Sequence, residues 1–264
     1  MSSSEQRTEF LSARLRPRDI EIAETLFRLK YATGGQIERL HFQGLSQATN
    51  MRNRVMRRLV RFKAVIAFRT VTGVGSAPFV YSLDPAMERL LRLRRGEELE
   101  RVTPFRQPFA RLIPHALAIS ELYVRLSESA NSGAFRIGLF QTESDAWWSV
   151  PSGRDMRPDA YVVLVSPSGT ADHWWIEMDM GTERIPVIEE KVSRYLGFAH
   201  SNPSTPFGVI PRVVFSVPDA KRREQITKSL EILGDLTKRL VAVATWDSTP
   251  QFLESSLATE RASE

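Results

Sequence analysis

The sequence predicts an α/β (α+β) chain in two parts, a helical segment with a hairpin behind it and then a mixed sheet flanked by helices. Three features carry that expectation. Residues 18 to 63 hold three segments of helical apolar spacing joined by short Gly-containing breaks, and two β-patterned runs follow directly. From Phe109 onward the order is helix, strand, hairpin, helix, strand, helix, strand, which suits a mixed sheet covered by helices. Between the two lies Val102 to Pro108, which holds two prolines and reads as a boundary.

Composition sets the outer limits. With 264 residues, 42% hydrophobic and 25% charged, the chain is of ordinary globular type and long enough for one large domain or two small ones. No apolar run approaches the roughly 20 residues that cross a bilayer, and the polar start, MSSSEQRTEF, lacks the apolar segment of a signal peptide. Cysteine is absent, which excludes a disulfide framework, a thiolate zinc site and a thiol nucleophile. The expected compartment is the cytoplasm. A net charge of +5 is a mild bias, so where the charge sits matters more than its sum.

Residues 1–16 are polar and expected to be flexible. The first helix begins near Arg18-Asp19, with Ile20, Ile22, Ala23, Leu26, Phe27 and Leu29 on its apolar face, and Thr33-Gly-Gly ends it. A short helix, Gln36 to Phe42, comes next, and Ser46 is the expected N-cap of a third that runs to Lys63. Val65 to Val71 and Pro78 to Leu83 are then the strands of a hairpin about a tip at Thr72 to Ser76. This is the order of a winged helix-turn-helix, expected over 17–101 with Leu83 to Arg101 as a charged connector helix.

Charge singles out the third helix. Between Ser46 and Lys63 stand six basic residues, Arg52, Arg54, Arg57, Arg58, Arg61 and Lys63, and no acid, while Met51, Val55, Leu59 and Phe62 trace the stripe expected to be buried. A helix that is basic on its free face and apolar on its packed face suits a major groove. Arg52, Asn53 and Arg57 are the candidates for base edges, and Arg69 on the first wing strand for phosphate. Arg-rich helix faces also serve simply as solvated surface, and winged helices as protein-binding modules. The Gly73-Val-Gly75 tip is no phosphate cradle, since no Gly-Lys-Ser/Thr follows it.

The second part is expected over 108–247. Its first helix, Phe109 to Ala130, carries His115 and Glu121, and Phe135 to Phe140 is the first strand, with Trp147-Trp148 at an edge or in a loop. The centre is Arg157 to Tyr195. Tyr161 to Val165 is a strand, Pro167-Ser-Gly-Thr a turn, and His173 to Ile176 the returning strand. Asp159 stands at the mouth of the first strand, and Glu177 and Asp179 alternate on the second, so they point to one face. Three carboxylates at one end of a sheet are costly without a cation between them. The following helix has Pro186 in its first turn and places Lys191 and Tyr195, four apart, on one face toward these acids. Arg212 to Val217 is a strand, Ala220 to Lys238 a helix and Val241 to Trp246 the last strand, after which 248–264 is expected to be a flexible tail.

Pro158-Asp159, Glu177 and a lysine form a set that resembles the PD-(D/E)xK nuclease core. That resemblance implies a Mg²⁺ or Mn²⁺ held by Asp159 and Glu177, with Glu121 completing the metal site. Asp159, Glu177, Asp179 and Lys191 are then the catalytic set. The lysine expected two residues after Glu177 is Asp179 here, so Lys191 would take that part from the helix. The segments PHALAISELYVRL (114–126), RPDAYVVL (157–164), WWIEMDMGTE (174–183) and KVSRY (191–195) resemble the replication-relaxation proteins of plasmids and integrative elements, over about residues 15–250. The family resemblance implies a winged helix ahead of a PD-(D/E)xK-like core, double-stranded DNA as partner, and a role in replication or transfer. It also singles out Thr182, Glu183, Tyr195 and His115, and leaves open a homodimer or association with replication or transfer proteins.

Other chemistries are weaker. The histidines, His41, His115, His173 and His200, are scattered without His-x-His spacing, so a histidine-ligated relaxase site is not expected, and an inward-facing Tyr195 suits core packing better than covalent catalysis. Three functions remain: a metal-dependent DNA endonuclease or nickase, a catalytically inactive DNA-binding replication or transcription factor, and a protein-interaction module anchored by exposed Trp147 and Trp148.

Overall fold

The computed structural model describes residues 3–69, 77–99, 102, 104–150, 155–201 and 205–260. Among these the chain forms ten α-helices, a three-stranded antiparallel sheet and a five-stranded mixed sheet. It divides into two compact units, residues 1–124 and 125–264. None of the described helices is long and apolar enough to cross a membrane.

The N-terminal unit opens with α1 (Ser3–Arg14) where a flexible segment was expected. Leu11 and Thr8 are buried, so α1 is held by a narrow apolar stripe that the polar composition conceals. It packs against α5 (Pro85–Arg95). Next come α2 (Pro17–Leu29), β1 (Ala32–Thr33), α3 (Gly34–His41), α4 (Ala48–Arg61), β2 (Val65–Phe68) and β3 (Val80–Leu83). The break after α2 lies at Lys30, whose φ is 64°, and Thr33 instead begins α3. Its Oγ1 accepts the Gln36 N–H at 3.2 Å while Gln36 Oε1 accepts the Thr33 N–H at 2.9 Å, a reciprocal cap that lets Gly34 and Gly35 form the first turn.

Ile22 and Leu26 of α2, Ile37 of α3 and Met56 and Leu59 of α4 meet in one core with Leu90 and Leu91 of α5. Thus α5 belongs to this core and is no free connector. Asp84 caps its start, Gly96 in the left-handed region ends it at Arg95, and the expected endpoint Arg101 lies outside the described residues. Likewise α4 starts after Gln47, with no side-chain cap, instead of at Ser46. Its seam runs through Met56 and Leu59, and Met51, five residues and hence roughly 140° from Met56, is 39% exposed. The hairpin pairs Val65 with Leu83 through Phe68 with Val80, and β1 joins on the far side of β3. Its expected tip, Thr72 to Ser76, lies outside the described residues.

The division between units falls inside α6 (Ile113–Ala130). The second unit then holds β4 (Arg136–Thr142), β5 (Ala160–Val165), β6 (Ala171–Met178), α7 (Ile185–His200), β7 (Arg212–Val217), α8 (Ala220–Leu230), α9 (Asp235–Leu240), β8 (Val241–Thr245) and α10 (Thr249–Glu260). Strand order is β4-β5-β6-β7-β8, antiparallel through β6 and parallel from β6 to β8. Gly234, at φ 90°, splits the expected helix of 220–238 into α8 and α9. In place of the expected tail, α10 buries Leu253 and Leu257 and sets Phe252 edge-on to Trp174 at 5.6 Å. The odd-numbered residues Tyr161, Val163, Trp175, Val213 and Phe215 face a core completed by Ile188, Val192 and Tyr195 of α7 and Ile226 of α8. That parity directs Asp159, Glu177 and Asp179 to the α7 side of the sheet.

Candidate functional site

In the N-terminal unit, Asn50, Asn53, Arg54, Arg57 and Arg61 recur at three- and four-residue steps and so share one side of α4. With Arg16, from the turn before α2, and Arg58 they line a groove of about 530 Å³. Two of the six expected basic residues are used inside the unit. Arg58 Nη2 lies 2.5 Å from Oδ1 of Asp19, which is wholly buried and whose Oδ2 accepts the Arg16 N–H at 2.9 Å. Arg52 is half-buried, with Nε 3.7 Å from Glu38 Oε2, and it lies so close over α3 that a Cβ at Gly34 would meet its Nη1 at 2.6 Å.

By contrast Arg16, Arg54, Arg57 and Arg61 are exposed, and no acid among the described residues pairs with them. Lys63 is exposed just beyond the helix, and Arg69 lies over the Phe79 ring at 4.2 Å. Sequence reasoning missed Arg16, hidden in a segment expected to be flexible. It also missed Asn50, although the three- and four-residue steps back from Arg57 lead to it.

In the second unit, the pairing of Ala160 with Ile176 continues outward so that Asp159 stands opposite Glu177. The Asp159 N–H donates to Ile176 O at 3.0 Å, and its Oδ2 accepts the Met178 N–H at 2.7 Å. Glu177 is buried. Its Oε2 lies 3.0 Å from Lys191 Nζ and its Oε1 accepts the Tyr195 hydroxyl at 2.5 Å. Burial, then the charge of Asp159, raise the Glu177 carboxyl to about 7 against the pull of Lys191 and Tyr195. Burial opposes charge on Lys191, but the Glu177 and Glu183 carboxylates outweigh it and raise its pKa. Glu183 Oε1 lies 3.0 Å from the same ammonium.

Asp179 does not join this pair. Beyond the end of β6 its N–H donates to Ser216 O, Oδ2 accepts from Arg222 Nε at 2.5 Å and Oδ1 from the Gly181 N–H. Arg222, on α8, also donates to Glu183 O at 2.5 Å, so one guanidinium ties the 179–184 loop down. The expected three-acid cluster is therefore two facing acids and a third neutralised by arginine. Among the described residues no three histidine or carboxylate groups gather to hold a metal. Glu121 is engaged within the N-terminal unit, accepting from Arg39 Nη1 at 2.6 Å and Gln36 Nε2 at 3.1 Å. His115 is half-buried on α6, and Thr182 is exposed. Tyr195 is buried against Trp175, with ring centroids 5.2 Å apart. Of the two tryptophans expected to be exposed, Trp148 is buried against Trp175 and Tyr161, and only Trp147 is open, under Arg157.

A family model described as replication-relaxation matches residues 24–213, from within α2 to the start of β7. The chain belongs to the replication-relaxation family. Membership gives it a role in plasmid or mobile-element replication or relaxation. No curated protein and no solved structure matches it. The matched span of this replication-relaxation protein includes α4 and the Asp159, Glu177, Lys191 and Tyr195 group, and leaves out Arg16 and α10.

Charge divides unevenly between its units. Residues 1–124 hold 21 basic and 12 acidic side chains, a net of +9, and residues 125–264 hold 15 and 19, a net of −4, which together give the +5 of the chain.

Proposed function

We propose that this replication-relaxation protein is a cytoplasmic DNA-binding factor of plasmid or mobile-element replication or transfer. It grips double-stranded DNA with α4, the recognition helix of a winged helix-turn-helix. One observation carries the reading: exposed guanidiniums without acid partners among the described residues line one side of α4, on the unit of net charge +9. Arginines that stay unneutralised by their own chain are suited to phosphates, and each phosphate neutralised releases counterions. The net −4 of the other unit repels DNA at long range, so affinity belongs to the first. Titrating the full chain into fluorescent duplex at several salt concentrations should give a steep negative slope of log K against log salt. Replacing Arg57 and Arg61 by alanine should flatten that slope by about 2. A wild-type chain that leaves duplex unbound at low salt refutes the reading.

A metal-dependent nuclease is the second reading, favoured by Asp159 and Glu177 facing each other with Lys191 on Glu177. Mg²⁺ is commonly held by one or two carboxylates, its shell completed by waters and substrate phosphates. Asp159 and Glu177 fit that donor set and would hold the ion, whereas Asp179 and Glu121 are committed to Arg222 and Arg39. When bound, the ion supplies Lewis acidity and an activated water. Tyr195 and Lys191 fix the two Glu177 oxygens, and Arg222 fixes the loop that brings Glu183 to Lys191. Supercoiled plasmid with Mg²⁺ or Mn²⁺ tests this against Asp159→Ala and Glu177→Ala. Plasmid left intact by the wild type rejects cleavage and leaves the DNA-binding reading standing.

A further inference from the structure

Among the residues of the α4 groove, chemistry and position divide together. Asn50 and Asn53 lie in the first two turns, with Asn50 exposed and Asn53 half-exposed, and the guanidiniums of Arg54, Arg57 and Arg61 follow toward the C-terminal end. Arg16 adds a fourth cation from outside the helix. A carboxamide has one donor and one acceptor side, which match N6 and N7 of adenine and no other base edge in the major groove. A guanidinium reads guanine or holds phosphate. Arg52, the first arginine of α4, is half-buried and drawn toward Glu38, away from the groove, and Glu38 also accepts the Thr49 hydroxyl at 3.1 Å. Of the residues that line the groove, Asn50 and Asn53 are the ones that offer both a donor and an acceptor to a base edge.

We propose that Asn50 and Asn53 select the DNA sequence while Arg16, Arg54, Arg57 and Arg61 supply the grip, so that the preferred duplex presents adenines at two neighbouring base-pair positions. The inference rests on the DNA-binding reading. Residues three apart on a helix differ by roughly 4.5 Å along its axis, close to the roughly 3.4 Å between successive base pairs, so the two carboxamides address adjacent or next-adjacent pairs. The helix that carries them is anchored. Arg58 and the buried Asp19 tie α4 to the start of α2, and Asp19 holds the Arg16 backbone at that same point. Arg16 is thereby placed relative to the reading residues by the ion pair that fixes the helix.

Selection of the full chain on a pool of random duplexes, at fixed salt, tests this. The wild type should enrich sites with two adenines adjacent or one pair apart, and changing either should weaken binding roughly tenfold to a hundredfold. The Asn50→Ala, Asn53→Ala double variant should lose the preference while keeping the salt slope, which reports the phosphate contacts of the arginines. Arg54→Ala and Arg61→Ala should weaken binding on every duplex alike and keep the preference. A double variant that enriches the same sites as wild type, or a wild type that binds with no adenine preference, overturns the inference alone. A wild type that binds no duplex overturns it together with the reading beneath it.

Discussion

Arg57 and Arg58 are neighbours in one helix with the same side chain, and their surroundings assign them opposite work. Arg57 is exposed, and its guanidinium meets no acid among the described residues. Arg58 is the counter-charge of Asp19, a carboxylate with no exposure to water. Removing one partner of such a pair leaves a buried charge uncompensated, which costs about 3 kcal/mol or more. Arg58→Ala should therefore lower stability by about that amount in urea denaturation followed by far-UV circular dichroism, whereas Arg57→Ala should stay within about 0.5 kcal/mol of wild type. Equal effects of the two would show that Asp19 is not held in this way. The same contrast governs the acids, since Asp179 faces the α7 side with Glu177 and yet spends its charge on Arg222.

At the level of elements, caps and seams decide where the helices lie. Thr33 and Gln36 start α3 by reciprocal hydrogen bonds, and Gln36 also donates to Leu117 O of α6, so the cap fixes two helices. Thr33→Ala should cost about 1 kcal/mol, read as the same loss of thermal stability with or without DNA. A loss that vanished on adding DNA would place Thr33 in the interface instead. The hairpin of β5 and β6 was legible because a β-branched and aromatic run and a Pro-Ser-Gly turn leave little choice, and period-2 alternation then brings Asp159 opposite Glu177. Lys191 and Tyr195 followed from four-residue spacing. The partner of Asp179 could not be read, because Arg222 lies 43 residues further on and meets it only through tertiary packing. Nor could α1 and α10, whose few buried leucines, Leu11 in one and Leu253 and Leu257 in the other, are set among polar neighbours. The phase of α4 slipped for a related reason: Met51 and Met56 are equally apolar, and only the core determines which is enclosed.

Across the molecule, His41 in the N-terminal unit and Glu177 in the second contribute to the pH dependence of stability with opposite sign. In the N-terminal unit His41, 2.9 Å from the Thr25 hydroxyl, is lowered to about 4 from 6.5 by burial and by the charge of Arg18. Between those values the unfolded chain binds the extra proton, so the contribution of His41 to stability rises with pH and is lost as pH falls through that window. In the second unit Glu177 is raised to about 7 from 4.5. Between these values the folded form binds the extra proton, so the contribution of Glu177 to stability is greatest at the acid end and falls as pH rises. The five tryptophans, at 147, 148, 174, 175 and 246, all lie in the second unit, so their fluorescence follows that unit alone. The denaturation midpoint by fluorescence should fall between pH 4.5 and 7 in wild type, and Glu177→Gln, which cannot ionise, should flatten it. Hydrogen exchange at Ile22 and Ile37, in the core of the N-terminal unit, should instead show protection that strengthens with pH once intrinsic rates are corrected. A fluorescence midpoint that climbed with pH in wild type, or a Glu177→Gln curve parallel to it, would mean that burial and Asp159 do not hold the proton on Glu177.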